Sequence, residues 1–287
     1  HCSRRLHRTS NLFRLTHQQP ITILLHVRHI ISRSVSLLLM AAVFPVLLFA
    51  GEPNLPEVKA PWMSGETLTY SLGWGPITAG TATMVVKPIQ DGKTEFYTLA
   101  HDNGVLKKLY PVADTVYTRV RNKGLMTEVF RKTLHEGSFH NKSVIRFDRK
   151  GDKAWLSDTV FTDPVKHVVK RSADTAVAIQ GTEHSIISAF YLVRTLPLNV
   201  GGIFRFSAVS GKKRYELKVQ VHGKETLQTN IGKIPTVKVE PLLDGDGIFN
   251  SKGRIFIWLT DDEKRIPVLM ECEIALGSIK AKILKIE

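Results

Sequence analysis

Apolar and polar residues alternate along most of the chain that follows residue 61. The clearest runs, with an apolar side chain at every second position, cover residues 68–74, 215–221 and 268–274. A period of two puts successive side chains on opposite faces of a strand, and it is typical of strands with one buried and one solvated face. The sequence therefore predicts half-solvated antiparallel strands.

Turn residues separate these runs at short intervals. They occur at residues 91–92, 103–104, 122–124, 150–152, 210–212 and 244–247, each with a glycine next to Asp, Asn, Lys or Ser. Regular spacing of such turns is typical of consecutive hairpins. We expect a meander in which each strand pairs with the next one along the chain.

One segment breaks the alternation. Between residues 182 and 196, Ile186, Phe190 and Val193 follow the spacing of one helical stripe, and Pro197 ends the run. We therefore predict a mainly β, single-domain fold: an antiparallel half-open barrel or a strongly curved sheet with one amphipathic helix. In this hypothesis the helix is a lid across the open mouth. A closed barrel and a two-sheet sandwich remain alternatives.

The N-terminus has a different character. The first 50 residues hold six Arg, no Lys and no acidic residue, and they end in the apolar stretch 35–50. This stretch is shorter than the roughly 20 residues that span a bilayer, and small residues follow at Ala50 and Gly51. We expect a signal peptide cleaved near Ala50 and a protein exported to the periplasm or cell envelope. An uncleaved anchor and a mitochondrial-type presequence are the alternatives, and the position of the first Met, Met40, leaves the translation start open.

Three segments follow from this interpretation. Residues 1–50 form the leader, residues 51–61 with three prolines form an extended lead-in, and residues 62–287 form the β-rich domain. Cleavage would remove Cys2 and leave Cys272 alone, so the mature chain would contain no intramolecular disulfide. Neither a zinc-thiolate nor an iron-sulfur site fits two cysteines.

Charge adds little to this interpretation. The 237 residues after the leader carry 34 Lys and Arg against 26 Asp and Glu, a net charge of +8. Basic pairs occur at residues 107–108, 131–132, 149–150, 170–171 and 212–214. We expect them on the surface, where they favour solubility or attract anionic lipid headgroups or cell-wall polymers. A nucleic-acid partner is not expected, because the sequence contains no recognition helix or basic-aromatic pattern.

The sequence contains no catalytic signature. Residues 261–263 are three consecutive acids, but Lys264 and Arg265 follow them and the pattern favours a solvated turn; residues 244–247 are interpreted as a flexible turn. The histidines after the leader have no metal-ligand spacing, and Cys272 lies on the apolar side of its strand as an inert thiol. We therefore assign no catalytic residue, no metal and no cofactor.

Four stretches carry a family resemblance: residues 68–80 (LTYSLGWGPITAG), 185–194 (SIISAFYLVR), 257–268 (IWLTDDEKRIPV) and 276–279 (LGSI). Together they resemble the DUF3108 family, whose members look like exported bacterial proteins of unknown function. The family is in turn distantly similar in fold to periplasmic LolA-type carriers of lipoproteins and lipids. The resemblance implies a half-barrel that holds acyl chains under a helical lid.

Large aromatic side chains gather on these same stretches. Six of them are candidate ligand-binding residues: Tyr70, Trp74, Phe190, Tyr191, Phe256 and Trp258. They form either a packed barrel interior or the wall of an apolar ligand cavity. We expect a monomeric, noncatalytic envelope protein that binds an apolar or amphipathic ligand, such as a lipid or an acylated protein. The alternatives are an enzyme acting on an envelope polymer and a scaffold for a partner protein.

Overall fold

The structure is a computed structural model that describes residues 55–103, 110–243, 253–274 and 277–287. The expected leader, Gly104 of one predicted turn and the predicted turn at residues 244–247 lie outside these ranges. The other predicted turns connect consecutive strands, as expected.

Fourteen strands account for most of the described residues. Their bounds are β1 (Glu66–Trp74), β2 (Ile77–Ile89), β3 (Lys93–Asp102), β4 (Ala113–Arg121), β5 (Met126–Glu136), β6 (Phe139–Asp148), β7 (Lys153–Asp163), β8 (Val168–Ala178), β9 (Ile203–Ser210), β10 (Lys213–Thr229), β11 (Gly232–Leu243), β12 (Ile255–Thr260), β13 (Pro267–Ile274) and β14 (Gly277–Ile286). All of these strands belong to one sheet, in which every neighbouring pair is antiparallel.

The alternating runs form strands with one buried face. Leu68 and Tyr70 are buried in β1, Leu217, Val219 and Val221 in β10, and Val268, Met270 and Cys272 in β13. Burial raises the pKa of the Cys272 thiol to about 11, and the thiol therefore stays protonated and unreactive at neutral pH. The prediction of a mainly β fold with half-solvated antiparallel strands is confirmed.

The sheet curls until it is nearly closed. Its strand order runs from β8 back to β1, across the β1–β14 pair, and on to β9, so that β8 and β9 are the two edges. These edges do not form a ladder with each other, and the sheet has one unsealed seam in the described part of the chain. The predicted half-open barrel is confirmed in this form.

The chain crosses the seam directly after β8. His184 forms a parallel bridge with Ala208 of β9, in which its N–H donates to the Ser207 carbonyl at 2.7 Å and its carbonyl accepts from Val209 N–H at 2.9 Å. Arg214, at the start of β10, donates to the Glu183 carboxylate at 2.6 Å. One end of the seam is therefore covered by residues that precede the helix.

The α-helix of the described residues, α1 (Ile186–Val193), is shorter than the predicted segment 182–196. It begins at Ile186 because Ser185 has extended backbone angles and its Oγ accepts a hydrogen bond from Ser188 N–H, which is an N-cap arrangement. Residue 184 is already paired with β9, and this pairing explains the late start.

The position of α1 differs from the expected lid. Seven of its eight residues are buried, including Ile187, Ala189 and Tyr191, which lie off the predicted stripe. Such a helix is apolar all round and belongs in a core. It packs against the inner faces of β3, β4 and β9, where Phe96 contacts Tyr191, so it fills the barrel and does not cover an exposed mouth.

The lead-in is attached to the barrel. Val58 N–H donates to the carbonyl of Asn122, and Gly124 N–H donates to that of Pro56, both in contact with the β4–β5 turn. A 3-10 helix at Pro61–Ser64 follows and buries Trp62. No helix of the described residues is both long and apolar enough to span a membrane.

Candidate functional site

Three of the six candidate aromatic residues lie inside the barrel around α1. Tyr70 is fully buried, and its hydroxyl donates to the Pro267 carbonyl at 2.8 Å. Tyr191 stacks on Phe96 with ring centroids 4.0 Å apart, and Phe190 meets Tyr191 edge-on at 5.5 Å. These rings contact one another and their neighbours in the main apolar core.

Arg194 completes this interior cluster. Its guanidinium donates to both carboxylate oxygens of Glu66, at 2.7 and 2.8 Å, and to the Lys264 carbonyl at 2.9 Å. It also lies 5.4 Å from the Trp62 ring centroid and 5.2 Å from that of Tyr191. The sequence pattern does not single out these two charged residues, although both lie within or beside the stretches that carry the resemblance.

Phe256 and Trp258 lie on the other face of the sheet from the three residues around α1. In β12 the inward positions are Ile255, Ile257 and Leu259, because Ile257 pairs with Met270 and Val239, which are core residues. The two aromatic residues alternate with these positions and so face outward, against Lys238, whose ammonium lies 3.9 Å from the Phe256 centroid and 4.7 Å from that of Trp258.

The outward pair is nevertheless buried, with exposed fractions of 5% for Phe256 and 6% for Trp258. The Trp258 indole N–H donates to Glu225 Oε1 at 2.6 Å, and the Arg254 guanidinium lies 4.6 Å from the Phe256 centroid. Long charged side chains therefore cover this pair from outside. The remaining candidate, Trp74, is half-buried at the end of β1, next to Gly277 of β14. Five of the six candidates therefore belong to the main apolar core, although Phe256 and Trp258 are on the outward side of β12, and Trp74 lies outside this core.

A second part of the interior has a different composition. The inner faces of β5, β6, β7 and β8, which we call the seam face, lead from the strand that contacts the N-terminus of α1 to the open edge. One row of residues, each paired with the next across neighbouring strands, begins beside the helix on β3 and β4 and continues across the seam face to β8. Its members are Phe96, Thr118, Phe130, Ile145, Leu156 and Thr175. Ile145 and Leu156 belong to a smaller apolar cluster, separate from the main core, that includes Val177 of β8 and Val209 of β9.

The next row on the seam face is polar. It contains Lys132 of β5, Ser143 of β6 and Asp158 of β7, which are direct partners across the strands. Positions two residues apart on a strand share a face and lie roughly 7 Å apart, so this charged row borders the apolar row. Asn141 extends it by donating to Asp158 Oδ1 at 2.9 Å. The inner surface therefore changes from apolar to charged over two residues along each strand.

Lys132 contradicts the sequence analysis, which placed the 131–132 pair on the surface. Strand alternation directs Arg131 outward, where it is exposed, and Lys132 inward, where it is half-buried. Burial lowers the pKa of Lys132 from its usual value, although the carboxylates of Asp158, Glu136 and Asp114 oppose this shift. Within the described residues its ammonium forms no ion pair shorter than 4.0 Å.

Two carboxyl groups lie beyond this row. Asp114 of β4 and Glu136 of β5 are 3% and 0% exposed. Burial raises the pKa of Asp114 above its usual value, in spite of the hydrogen bond that its Oδ1 accepts from His135 N–H at 2.9 Å. Asp114 therefore has a higher affinity for a proton than an isolated aspartate has.

The seam face is partly accessible from the open edge. Asp158 of β7 and Ala173 and Thr175 of the edge strand β8 point inward and are nevertheless half-buried rather than buried. By contrast, the inward residues around α1, such as Phe96 and Tyr191, are fully buried. Solvent therefore reaches the half-buried residues at the edge of the seam face, but it is excluded from Ile145 and Leu156 as it is from the residues around the helix.

A buried hydroxyl cluster stands between the two regions. Thr127 Oγ1 accepts from Ser185 N–H and lies 2.7 Å from Ser188 Oγ, while Thr118 Oγ1 lies 3.0 Å from Ser185 Oγ. His184 Nδ1 lies 3.4 Å from Ser188 Oγ, but the serines and threonines are fully buried. No substrate can reach a nucleophile here, and the cluster instead fixes the N-terminus of α1.

Two further sequence interpretations concern acids and metals. The acids at 261–263 form the β12–β13 turn: Asp262 Oδ1 accepts the N–H groups of Lys264 and Arg265, and Asp261 pairs with Arg265 at 3.2 Å. His135 and His140 face each other with Nδ1 atoms 3.0 Å apart. Within the described ranges, no group of three or more His, Cys, Asp or Glu is placed to hold a metal ion.

A large antiparallel sheet that curls round one buried helix defines a β-barrel-like protein. Residues 69–284 match the family DUF3108, which is described as a protein of unknown function. The chain belongs to this family, as its four stretches indicated.

Solved structures support the fold. The chain is similar to the beta-barrel-like protein of domain of unknown function DUF1849 from Brucella abortus, with a TM-score of 0.50, 10% identity and coverage of 78% of this chain and 97% of that chain. It also matches the hypothetical protein CT021 from Chlamydia trachomatis with a TM-score of 0.32, 11% identity and coverage of 77% and 86%, a likeness too low to support an argument. A comparison with curated proteins gives no match.

Proposed function

We propose that the protein is an exported, noncatalytic protein of the cell envelope that binds one amphipathic ligand, a lipid or an acylated protein, on the seam face. The observation that carries this proposal is a buried apolar row that borders a charged row, of which Lys132 and Asp158 are only half-buried. An acyl chain would lie along Phe130, Ile145 and Leu156, and its polar end would lie at Lys132 and Asp158.

The proposal moves the ligand away from the helix. The aromatic residues around α1 are packed against each other, so the apolar surface there is already covered by the chain's own side chains. The smaller cluster beside the seam is shared between β8 and β9, which are not paired with each other. A ligand can enter there by separating side chains, without breaking a strand ladder. The fold analogy with LolA-type carriers adds support as an analogy only.

The buried carboxyl pair bears on the enzymatic alternative. Asp114 and Glu136 would have to reach a bound polymer in order to act on it, and both are within the barrel wall with exposed fractions of 3% and 0%. We therefore give them no catalytic role.

The test uses a fatty acid that carries a dansyl group, whose emission rises in an apolar site. We expect saturable binding with one site per chain. Ala173→Trp, an inward substitution on the edge strand β8, fills the space beside Asp158 and should weaken binding at least tenfold. Ser172→Trp adds the same ring one residue earlier, on the exposed outer face, and should leave binding unchanged.

Other results would contradict the proposal. Equal binding by the two tryptophan variants would exclude the seam face as the site, and emission that rises linearly without saturation would exclude a site of any kind. Export is tested separately by mass spectrometry of the protein from the envelope fraction, in which the first residue should lie near Gly51. An intact chain that retains residues 35–50 would indicate a membrane anchor instead.

A further inference from the structure

Exposed apolar side chains concentrate at one hairpin. The turn between β7 and β8 and the start of β8 carry Val165, Val168 and Val169, with exposed fractions of 86%, 49% and 51%. Val165 is the most exposed of the large apolar residues in the described part of the chain. Because exposed apolar surface is unfavourable in water, a protruding cluster of this kind indicates a surface that becomes covered.

A second turn lies beside the first. His140 of β6 pairs with Phe161 of β7, so the β5–β6 turn and the β7–β8 turn are neighbours at the same end of the sheet. The β5–β6 turn carries Phe139, which is 38% exposed. We call residues 139–142 and 161–171 the basic tip.

Positive charge surrounds these apolar side chains. The basic tip contains Lys142, Lys166, Lys170 and Arg171 and only one carboxylate, Asp163. Arg171 also lies 3.5 Å from the carboxylate of Asp158, which is outside the tip on β7. Asp163 is engaged by its own turn: Oδ1 accepts the N–H groups of Val165 and Lys166, and Oδ2 lies 3.7 Å from the Lys166 ammonium. The tip therefore has a net positive charge beside a protruding apolar centre.

We propose that the basic tip is a docking surface for an anionic lipid bilayer. Valine and phenylalanine side chains on a protrusion can enter the acyl region without a complementary pocket, and lysine and arginine are attracted to anionic headgroups. A second copy of the chain fits less well, because the net positive charge of one tip would face that of the other. Attraction to anionic lipid is one of several expected roles of the basic pairs, and the proposal locates it at this hairpin.

Docking at the tip would have a geometric consequence. The charged row of the seam face lies on the same β5, β6, β7 and β8 strands whose turns form the tip. A bilayer at the tip would therefore lie close to the accessible part of the interior. The docking inference is independent of the proposed ligand, since the tip can bind a membrane whether or not the seam face binds a lipid.

The experiment is flotation of the purified protein with vesicles of phosphatidylcholine alone or mixed with phosphatidylglycerol. We expect binding only to the mixed vesicles, and loss of binding for Val165→Asp. Lys170→Gln should reduce the partition constant about fivefold, because one cation near an anionic surface contributes about 1 kcal/mol. Raising the salt concentration from about 0.1 M to about 1 M should also release the protein, because the Debye length falls from about 10 Å to about 3 Å.

The β10–β11 turn provides matched controls. It carries Ile231, which is 41% exposed, and the exposed Lys233, but it lies on other strands. Ile231→Asp and Lys233→Gln should leave vesicle binding unchanged. All variants share one N-terminus, so a contribution from that segment would be the same in each.

A reporter at the tip gives a second readout. In the presence of mixed vesicles, Val165→Trp should show a blue-shifted emission relative to the parent protein, and Ile231→Trp should show none. Three results would each overturn the inference: equal binding to neutral and anionic vesicles, equal effects of the tip and control substitutions, or a solution dimer that Val165→Asp converts to monomer. The last result would assign the tip to a second copy of the chain.

Discussion

The carboxylate of Glu66 and the guanidinium of Arg194 form a two-fold hydrogen-bonded ion pair inside the barrel, with side-chain exposures of 8% and 0%. It joins the first strand to the residue that follows the last turn of α1, 128 residues later in the chain. Because water is excluded, each charged group depends on the other for stabilisation. The pair therefore fixes the helix in the barrel.

We predict that Arg194→Met or Glu66→Gln lowers the free energy of unfolding by about 3 to 5 kcal/mol, because each leaves a buried group without its partner. Arg194→Lys should also destabilise the protein, since an ammonium cannot form the two parallel hydrogen bonds. Urea denaturation checks both. The double variant should lose clearly less than the sum of the single losses, and strict additivity would show that the two side chains do not stabilise each other.

A second prediction concerns His184, which is 5% exposed. Burial, with a smaller contribution from the Arg149 charge, lowers the pKa of His184 to about 4, while a hydrogen bond to the Leu125 backbone opposes the shift. The unfolded chain binds a proton on this residue below about pH 6.5, and the folded protein does so only near pH 4. The contribution of His184 is therefore complete above pH 6.5 and is lost as the pH falls from 6.5 to 4.

The loss should reach about 3 kcal/mol at the acid end, from about 1.4 kcal/mol for each pKa unit. Other groups also titrate in this range, so the measurement is the difference between the parent protein and His184→Asn in urea denaturation at several pH values. The pH dependence of the variant should be weaker over this window. His167→Asn, at an exposed position, is the control, and a change of the same size there would contradict the assignment to burial.

The sequence predicted the architecture because most strands contrast in polarity between their faces. It could not predict which face of β12 Phe256 and Trp258 occupy. All six residues of this strand are buried and five of them are apolar, so no alternation of polar and apolar residues distinguishes the two faces. The same limit applies to β5, where residues 131–133 and 135–136 are polar on both faces and either face could be the inner one. Only the pairing of Phe130 with Ile145 shows that Lys132 points inward.

The helix shows a related limit. Its periodic stripe predicted that residues 186, 190 and 193 share a face, and they are buried. The other faces are also buried because the curled sheet surrounds α1, and this enclosure depends on contacts far apart in the chain. A sequence pattern reports which residues avoid water, but it does not report how many sides of an element are covered.

A third prediction separates the outward aromatic pair from the ligand. Trp258→Phe removes the hydrogen bond to Glu225 and weakens the contact with Lys238, so the free energy of unfolding should fall by about 1 to 2 kcal/mol. Binding of the dansyl fatty acid should stay unchanged, because Trp258 faces away from the seam face. A loss of binding comparable to that of Ala173→Trp would show that the ligand lies on the outer face of β12.

The last prediction concerns Lys132. Its lowered pKa shows that burial in the barrel wall disfavours the charged ammonium form. A group that is harder to charge in the folded protein than in water destabilises the fold at neutral pH. Lys132→Met keeps the length of the side chain and removes the charge, so the free energy of unfolding should rise by about 1 kcal/mol, the usual size of a stabilising substitution. Urea denaturation at neutral pH measures this change.

The same substitution should weaken binding of the dansyl fatty acid, because the carboxylate of the probe loses its cation on the seam face. A gain in stability together with a loss of binding is the pattern expected of a residue whose charge serves a function at the expense of the fold. Arg131→Met removes the neighbouring outward charge and should change neither quantity appreciably. If Lys132→Met lowered the stability and left binding unchanged, Lys132 would serve only to balance the carboxylates of Asp114, Glu136 and Asp158, and the headgroup position proposed here would be wrong.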